Sequence, residues 1–131
     1  MSEQELRLID ANLNRLREGI RVVEDIFRYA YNDKNTAKRL KELRHQSRIN
    51  LYNELLDARD IKNDVLKKTT SSEQKRENLK SILIANFKRA QESARVLEEL
   101  TKLLTTNKSE VFKAIRYELY DLEKEMNHIT F

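Results

Sequence analysis

Two runs of polar side chains recur with the same internal spacing: Asn12, Arg15, Glu18, Arg21 and Glu24 in one place, and Asn86, Arg89, Glu92, Arg95 and Glu98 in the other. Guanidinium groups and amides at this density suit the capture of an anion that also forms hydrogen bonds, because a guanidinium presents a planar fork of donors to carboxylate or phosphate. A third cluster, Arg59, Asp60 and Asp64, sets two carboxylates beside a basic residue and could hold Mg²⁺ against phosphate oxygens. Aspartate in a polar segment is also a turn former, so the triplet alone carries little. Other chemistry is scarce. The two histidines, His45 and His128, are far apart and there is no cysteine, so no ligand spacing suggests zinc. A single glycine rules out a glycine-rich phosphate loop, and no serine has an evident base partner. A phosphate would be held by Arg, Lys and helix N-termini.

On a helical wheel of about 100° per residue, Asn12 lines up with Leu8, Leu16, Gly19 and Val23, and Asn86 with Ile82, Ala90, Ser93 and Leu97. Both amides are expected to point inward, where an unpaired one would cost about 1–3 kcal/mol, so each requires a partner. Arg15 and Arg89 stand at the edge of these apolar arcs, and Arg44 falls within the arc of its own helix. Buried guanidiniums need anions, supplied by Glu18, Glu24, Glu92 and Glu98 or by a ligand. Two readings stay open: such polar pairs fix helix register, as in coiled coils, or they bind. Gly19 lies mid-helix at a cost of about 1 kcal/mol relative to alanine, which implies a close helix approach or room for a ligand, the former being the simpler.

The elements that must position these residues are helices. Ser2 with Glu5 forms a capping-box signature, and Leu6, Ile9, Leu13, Leu16, Ile20, Val23 and Phe27 follow at helical spacing, predicting a helix that ends near Asn32. Asn35 or Thr36 caps a second helix that buries Ala37, Leu40, Leu43, Ser47, Leu51 and Leu55 and fades near Asp57. Residues 58–72 have no helical period and read as a loop. A third helix, capped by Ser71 with Gln74, carries Leu79, Ile82, Leu83, Ala90, Ala94, Leu97, Leu100 and Leu104. Ser109 caps the last, with Phe112, Ile115, Leu119, Leu122 and Met126 inside and residues 128–131 as a tail.

Asp10–Asp25 aligns without a gap on Ile84–Glu99 with seven identities in sixteen positions, and LKELRH over FKAIRY matches Arg44 with Arg116. The expected fold is therefore all-α: one domain over residues 1–131, a compact bundle of two helical hairpins related by a pseudo-two-fold axis, with repeats over about 2–57 and 73–131.

Composition agrees. There is no proline, 37% of residues are charged, and the net charge of +4 is spread along the chain, which suits anionic ligands in general. No basic block interleaves with aromatics, which argues against nucleic acid. No apolar run would cross a bilayer, and residues 1–5 lack the pattern of a signal peptide, so the expected compartment is the cytoplasm.

The segments DANLNRLREGIRVVEDIFRY, LKELRH, DARD with Asp64, ANFKRAQESARVLEE and FKAIRYELYDLE follow one another in the order and spacing of a small helical family. The chain resembles the monofunctional hydroxymethylpyrimidine phosphate kinases of thiamine biosynthesis, in their free-standing form rather than fused to thiamine phosphate synthase. That family tends to carry Gly-Asp-x-Gly-Thr after Ala-Arg-Asp, whereas this chain reads Asn63-Asp64-Val65-Leu66-Lys67 and offers Lys67 or Lys68 as a point charge. The resemblance implies ATP-dependent phosphorylation of 4-amino-5-hydroxymethyl-2-methylpyrimidine phosphate to the diphosphate, with ATP and Mg²⁺ as cofactors. It implies that Arg15, Arg89, Arg44, Arg59 and Asp60 serve transfer and that Asp60 and Asp64 hold the metal. Asn12, Asn86, Arg21, Arg95, Glu18, Glu92, His45 and Arg116 would then bind the phosphorylated pyrimidine. Association with thiamine phosphate synthase and a site completed between two subunits are further expectations. The rival class is a non-enzymatic helical bundle that binds a phosphorylated metabolite or a protein partner.

Overall fold

The computed structural model describes residues 1–70 and 75–129. Helix α1 spans Glu3–Asp25 and widens into a π-helical turn over Ile26–Ala30. The Ser2 hydroxyl accepts from the Glu5 amide while the Glu5 carboxylate accepts from the Ser2 amide, both at 3.1 Å, so the expected capping box starts the chain. Helix α2 spans Lys34–Gln46, α3 Tyr52–Ala58, α4 Leu79–Leu100 and α5 Lys108–Met126, with a 3₁₀ turn over Thr101–Leu103. No strand occurs among the described residues.

Several helix boundaries differ from the sequence expectation. Asp33, not Asn35 or Thr36, caps α2, its carboxylate accepting from the Thr36 amide at 3.1 Å and the Thr36 hydroxyl at 2.8 Å. The second helix is also broken. Ser47 is fully buried and donates its hydroxyl to the Leu43 carbonyl at 2.8 Å, and the chain leaves the helix there before restarting at Tyr52. Ser71 and Gln74 lie outside the described residues, as do residues 130–131 of the tail; α4 begins at Leu79, with Asn78 and Ser81 bonding reciprocally. Ser109 sits inside the first turn of α5, and Asn107 occupies the cap position.

The longest contact in the bundle runs between α1 and α4, and each is flanked by its hairpin partner, α2 and α5 respectively. Phe27, Phe87 and Phe112 join Ile9, Leu16, Ile20, Leu83 and Leu97 in one core, each worth roughly 1.5–3 kcal/mol of burial. Gly19 lies at the α1–α4 crossing. A Cβ there would stand 3.3 Å from the Asn86 carbonyl oxygen and 3.4 Å from the Ala90 Cβ, so close packing explains the one glycine. The segment after α3, residues 59–70, is irregular, and its first residues lie back against α1.

Candidate functional site

Arg59 leaves the end of α3 and folds over the first half of α1. Its Nε and Nη2 donate to the two carboxylate oxygens of Asp10 at 2.8 and 2.9 Å, and Asp10 is only 5% exposed. One turn earlier, Arg7 donates from Nη2 to the carbonyl oxygen of Asp60 at 3.0 Å. The segment is thus fastened twice, through a side chain and through its backbone. Within it the carboxylates shape turns. Asp60 accepts from the Asn63 side-chain amide at 2.7 Å and from the Asn63 backbone amide at 3.1 Å, and Asp64 accepts from the Leu66 amide at 3.0 Å. The two Asn63 bonds, with Arg7 nearby, hold the Asp60 carboxyl below the usual carboxylate range.

Between α1 and this segment lies a cleft of about 700 Å³, lined by Asn12, Arg15 and Glu18 on one side and by Arg59, Asp60 and Asp64 on the other. The nitrogen of the Asn12 side chain donates to the Leu8 carbonyl at 2.9 Å, so its oxygen is the atom left to accept from a ligand. Arg15 is exposed, and no described carboxylate lies within ion-pair distance of it. Three arginines of the lining, Arg7, Arg15 and Arg59, face four carboxylates, Asp10, Glu18, Asp60 and Asp64. Protein charge alone therefore does not favour a polyanion here; a divalent cation would reverse the balance. No cluster of three or more metal-binding side chains exists among the described residues. Asp60 and Asp64 fit the kind of site in which Mg²⁺ takes one or two carboxylates and completes its shell with phosphate oxygens and water.

The structure brings together Asn12, Arg15, Glu18, Arg59, Asp60 and Asp64, and places the remaining candidates elsewhere. Arg44 reaches from α2 to Glu24 on α1, with Nε at 2.8 Å and Nη2 at 3.3 Å. Arg116 makes the equivalent reach from α5 to Glu98 on α4, at 3.2 and 2.9 Å. These matched residues are struts between helices. Arg21 pairs with Asp25, and Arg95 with Glu98 and Glu99. Arg89, Glu92 and His45 are exposed and outside the cleft. Asn86 repeats the bond of Asn12, donating to the Ile82 carbonyl at 2.9 Å. Arg15 and Arg89, which the helical wheel sets at the edge of the apolar arcs, are at the surface rather than among the buried guanidiniums, because a long side chain at that edge carries its charge to water. The cleft is accordingly walled by α1 and the loop rather than by the two hairpins.

Arg7, Asp10 and Asn14 were not among the sequence candidates. Their signal is the opposite of the one sought, since at these places the repeat fails: Arg7 is opposed by Ser81, Asp10 by Ile84 and Asn14 by Lys88. The shared pairs Arg44–Glu24 and Arg116–Glu98 hold the bundle, and Arg7 and Asp10, peculiar to the first copy, dock the loop.

The ThiD2 family matches residues 7–125, a span that includes every cleft residue named above. The chain belongs to the ThiD2 family. Its relatives carry names from thiamine biosynthesis. It is similar to the thiamine-phosphate synthase of Nostoc punctiforme, 40% identical over 121 residues, which is 92% of this chain and 34% of that protein. It is 41% identical over 118 residues to the thiamine-phosphate synthase of Prochlorococcus marinus, covering 89% of this chain and 34% of that one. The synthase of Thermosynechococcus vestitus is 40% identical over 121 residues, with shares of 92% and 34%. The chain thus spans about a third of the length of the curated relatives it matches. No solved structure matches it. None of the helices among the described residues is long and apolar enough to cross a membrane.

Proposed function

We propose that the α1–loop cleft transfers a phosphoryl group from ATP to a phosphorylated hydroxymethylpyrimidine, forming its diphosphate within thiamine biosynthesis. The observation that carries this reading is Arg15, a guanidinium without a protein counter-ion facing Asp60 and Asp64 across the cleft. A phosphate monoester is already ionised near neutral pH, so its oxygen needs no strong base to attack the terminal phosphorus of ATP. The bond from that phosphorus to the bridging oxygen breaks, and ADP leaves. The work left to the protein is alignment of two polyanions and relief of their repulsion.

Arg15 and Arg59 would hold phosphate oxygens, with Arg59 kept in place by Asp10. Asp60 and Asp64 would hold Mg²⁺, which when bound supplies the positive charge that the lining lacks. The side-chain oxygen of Asn12 suits the exocyclic amine of an aminopyrimidine, an N–H donor. The names of the relatives suggest that the diphosphate passes to a thiamine-phosphate synthase, with which this chain would associate.

Incubation of the purified chain with Mg-ATP and either the pyrimidine monophosphate or the free alcohol tests the reading. ADP and pyrimidine diphosphate are expected with the monophosphate alone; ADP release with neither substrate rejects the kinase and favours a non-enzymatic binding bundle.

A further inference from the structure

A second cleft, of about 540 Å³, lies where the end of α1 meets α2. Arg28 of the π-helical turn faces Lys34, Lys38 and Lys41, with Asn32 among them. The lysines follow at steps of four and three residues, which sets them on one face of α2. All four cations are exposed, and no described carboxylate is within ion-pair distance of any of them; Arg28 lies over the Tyr29 ring, 4.9 Å from its centroid. The one carboxylate in the lining, Glu24, is already met by Arg44 at 2.8 Å. Nearby Asp33 spends its oxygens on Thr36 as the cap of α2. Like charges in helical register repel, and an anion seated among them would relieve that repulsion.

The contrast with the first cleft is one of charge. There carboxylates outnumber arginines; here four cations surround one carboxylate that is already neutralised. Arg15 and Arg28 are thirteen residues apart, about 20 Å along the helix, too far for one phosphoryl group to pass between the clefts. Lys34 and Lys41 are about 10 Å apart along α2, more than a single phosphate can bridge and within reach of a chain of several.

We propose that this basic cleft binds a polyphosphate chain, inorganic or part of a nucleotide, without a divalent cation and apart from the site of transfer. Calorimetric titration of the full chain at low salt in EDTA, with inorganic tripolyphosphate and with ATP, tests it. Comparable affinities mean that the phosphates alone are read, and tighter ATP binding means that the nucleoside adds to them; either supports the site. Replacing Lys34, Lys38 and Lys41 together with glutamine, which keeps helix propensity, should weaken tripolyphosphate binding by about tenfold or more. Replacing Lys75, Lys113 and Lys124, which removes the same charge from other surfaces, should change it less than about threefold. Equal loss in the two triple variants, or no binding of tripolyphosphate, overturns the proposal. So does a poly-glutamate peptide that binds as tightly as tripolyphosphate, which reassigns the cleft to an acidic partner. Loss of turnover at saturating Mg-ATP in the Lys34 triple variant overturns the separation of the two sites. Because the titration needs neither metal nor reaction, its outcome is independent of whether the chain is a kinase.

Discussion

Arg59 and Asp10, 49 residues apart, form a two-point bond that ties the start of the loop to the first half of α1. Asp10 is nearly enclosed and Arg59 half-exposed, so the pair is lopsided: losing Arg59 strands a carboxylate that has little water. Arg59→Met should cost about 1–3 kcal/mol in urea unfolding. The double variant Asp10→Asn with Arg59→Met should cost less than the sum of the two single changes. Strict additivity would mean that the bond does not hold the loop.

The duplicated struts share a geometry but differ in their support, because Glu98 also pairs with Arg95. Glu24 is 1% exposed and Arg44 is its one ion-pair partner among the described residues, so Arg44→Met leaves a buried carboxylate unpaired, whereas Glu98 keeps its pair with Arg95 in Arg116→Met. Arg44→Met should lose about 3–5 kcal/mol and Arg116→Met less, and Glu24→Gln should restore part of the loss in the Arg44→Met background. A stable Arg44→Met variant without turnover would instead return Arg44 to a binding role.

How far these features were legible depends on the kind of partner each residue has. The all-helical fold and the duplication were visible because helix periodicity and repeated polar identities both survive in a single sequence. Two of the repeated residues, Arg44 and Arg116, nevertheless share a structural task, since duplication copies scaffolding as readily as chemistry. The break at Ser47 was hidden because Leu43, Ser47, Leu51 and Leu55 keep a four-residue spacing across it, so the wheel reads one continuous face. Arg7 was hidden because its partner is a backbone carbonyl, which leaves no mark in the sequence.

At the α1–α4 crossing, Gly19→Ala gains about 1 kcal/mol of helix propensity but pushes on a backbone oxygen, so its melting should stay close to that of the parent. Gly19→Val has no such room and should destabilise by about 1–3 kcal/mol. If valine were tolerated without loss, the two helices would not be held at this distance by the glycine.

The Asp60 turn gives a pH dependence of definite sign. Asn63 lowers the Asp60 pKa, so the contribution of that turn is present above the unfolded value near about 4 and is lost as the pH falls through the lower folded value. Asn63→Ala should raise the carboxyl titration toward the ordinary value, read by carbon NMR of the side chain. An unchanged titration would assign the shift to Arg7.

The placement of transfer in one copy of the repeat is tested most directly by steady-state turnover of Mg-ATP and the pyrimidine monophosphate in Arg15→Met and Arg89→Met. Both positions are exposed and match in the repeat, but only Arg15 lines the loop cleft. Arg15→Met should lose about a hundredfold or more in kcat/KM, while Arg89→Met should stay within about threefold of the parent, with helicity intact in both. Equal loss in the two variants, or full activity in Arg15→Met, would contradict a reaction centre between α1 and the loop.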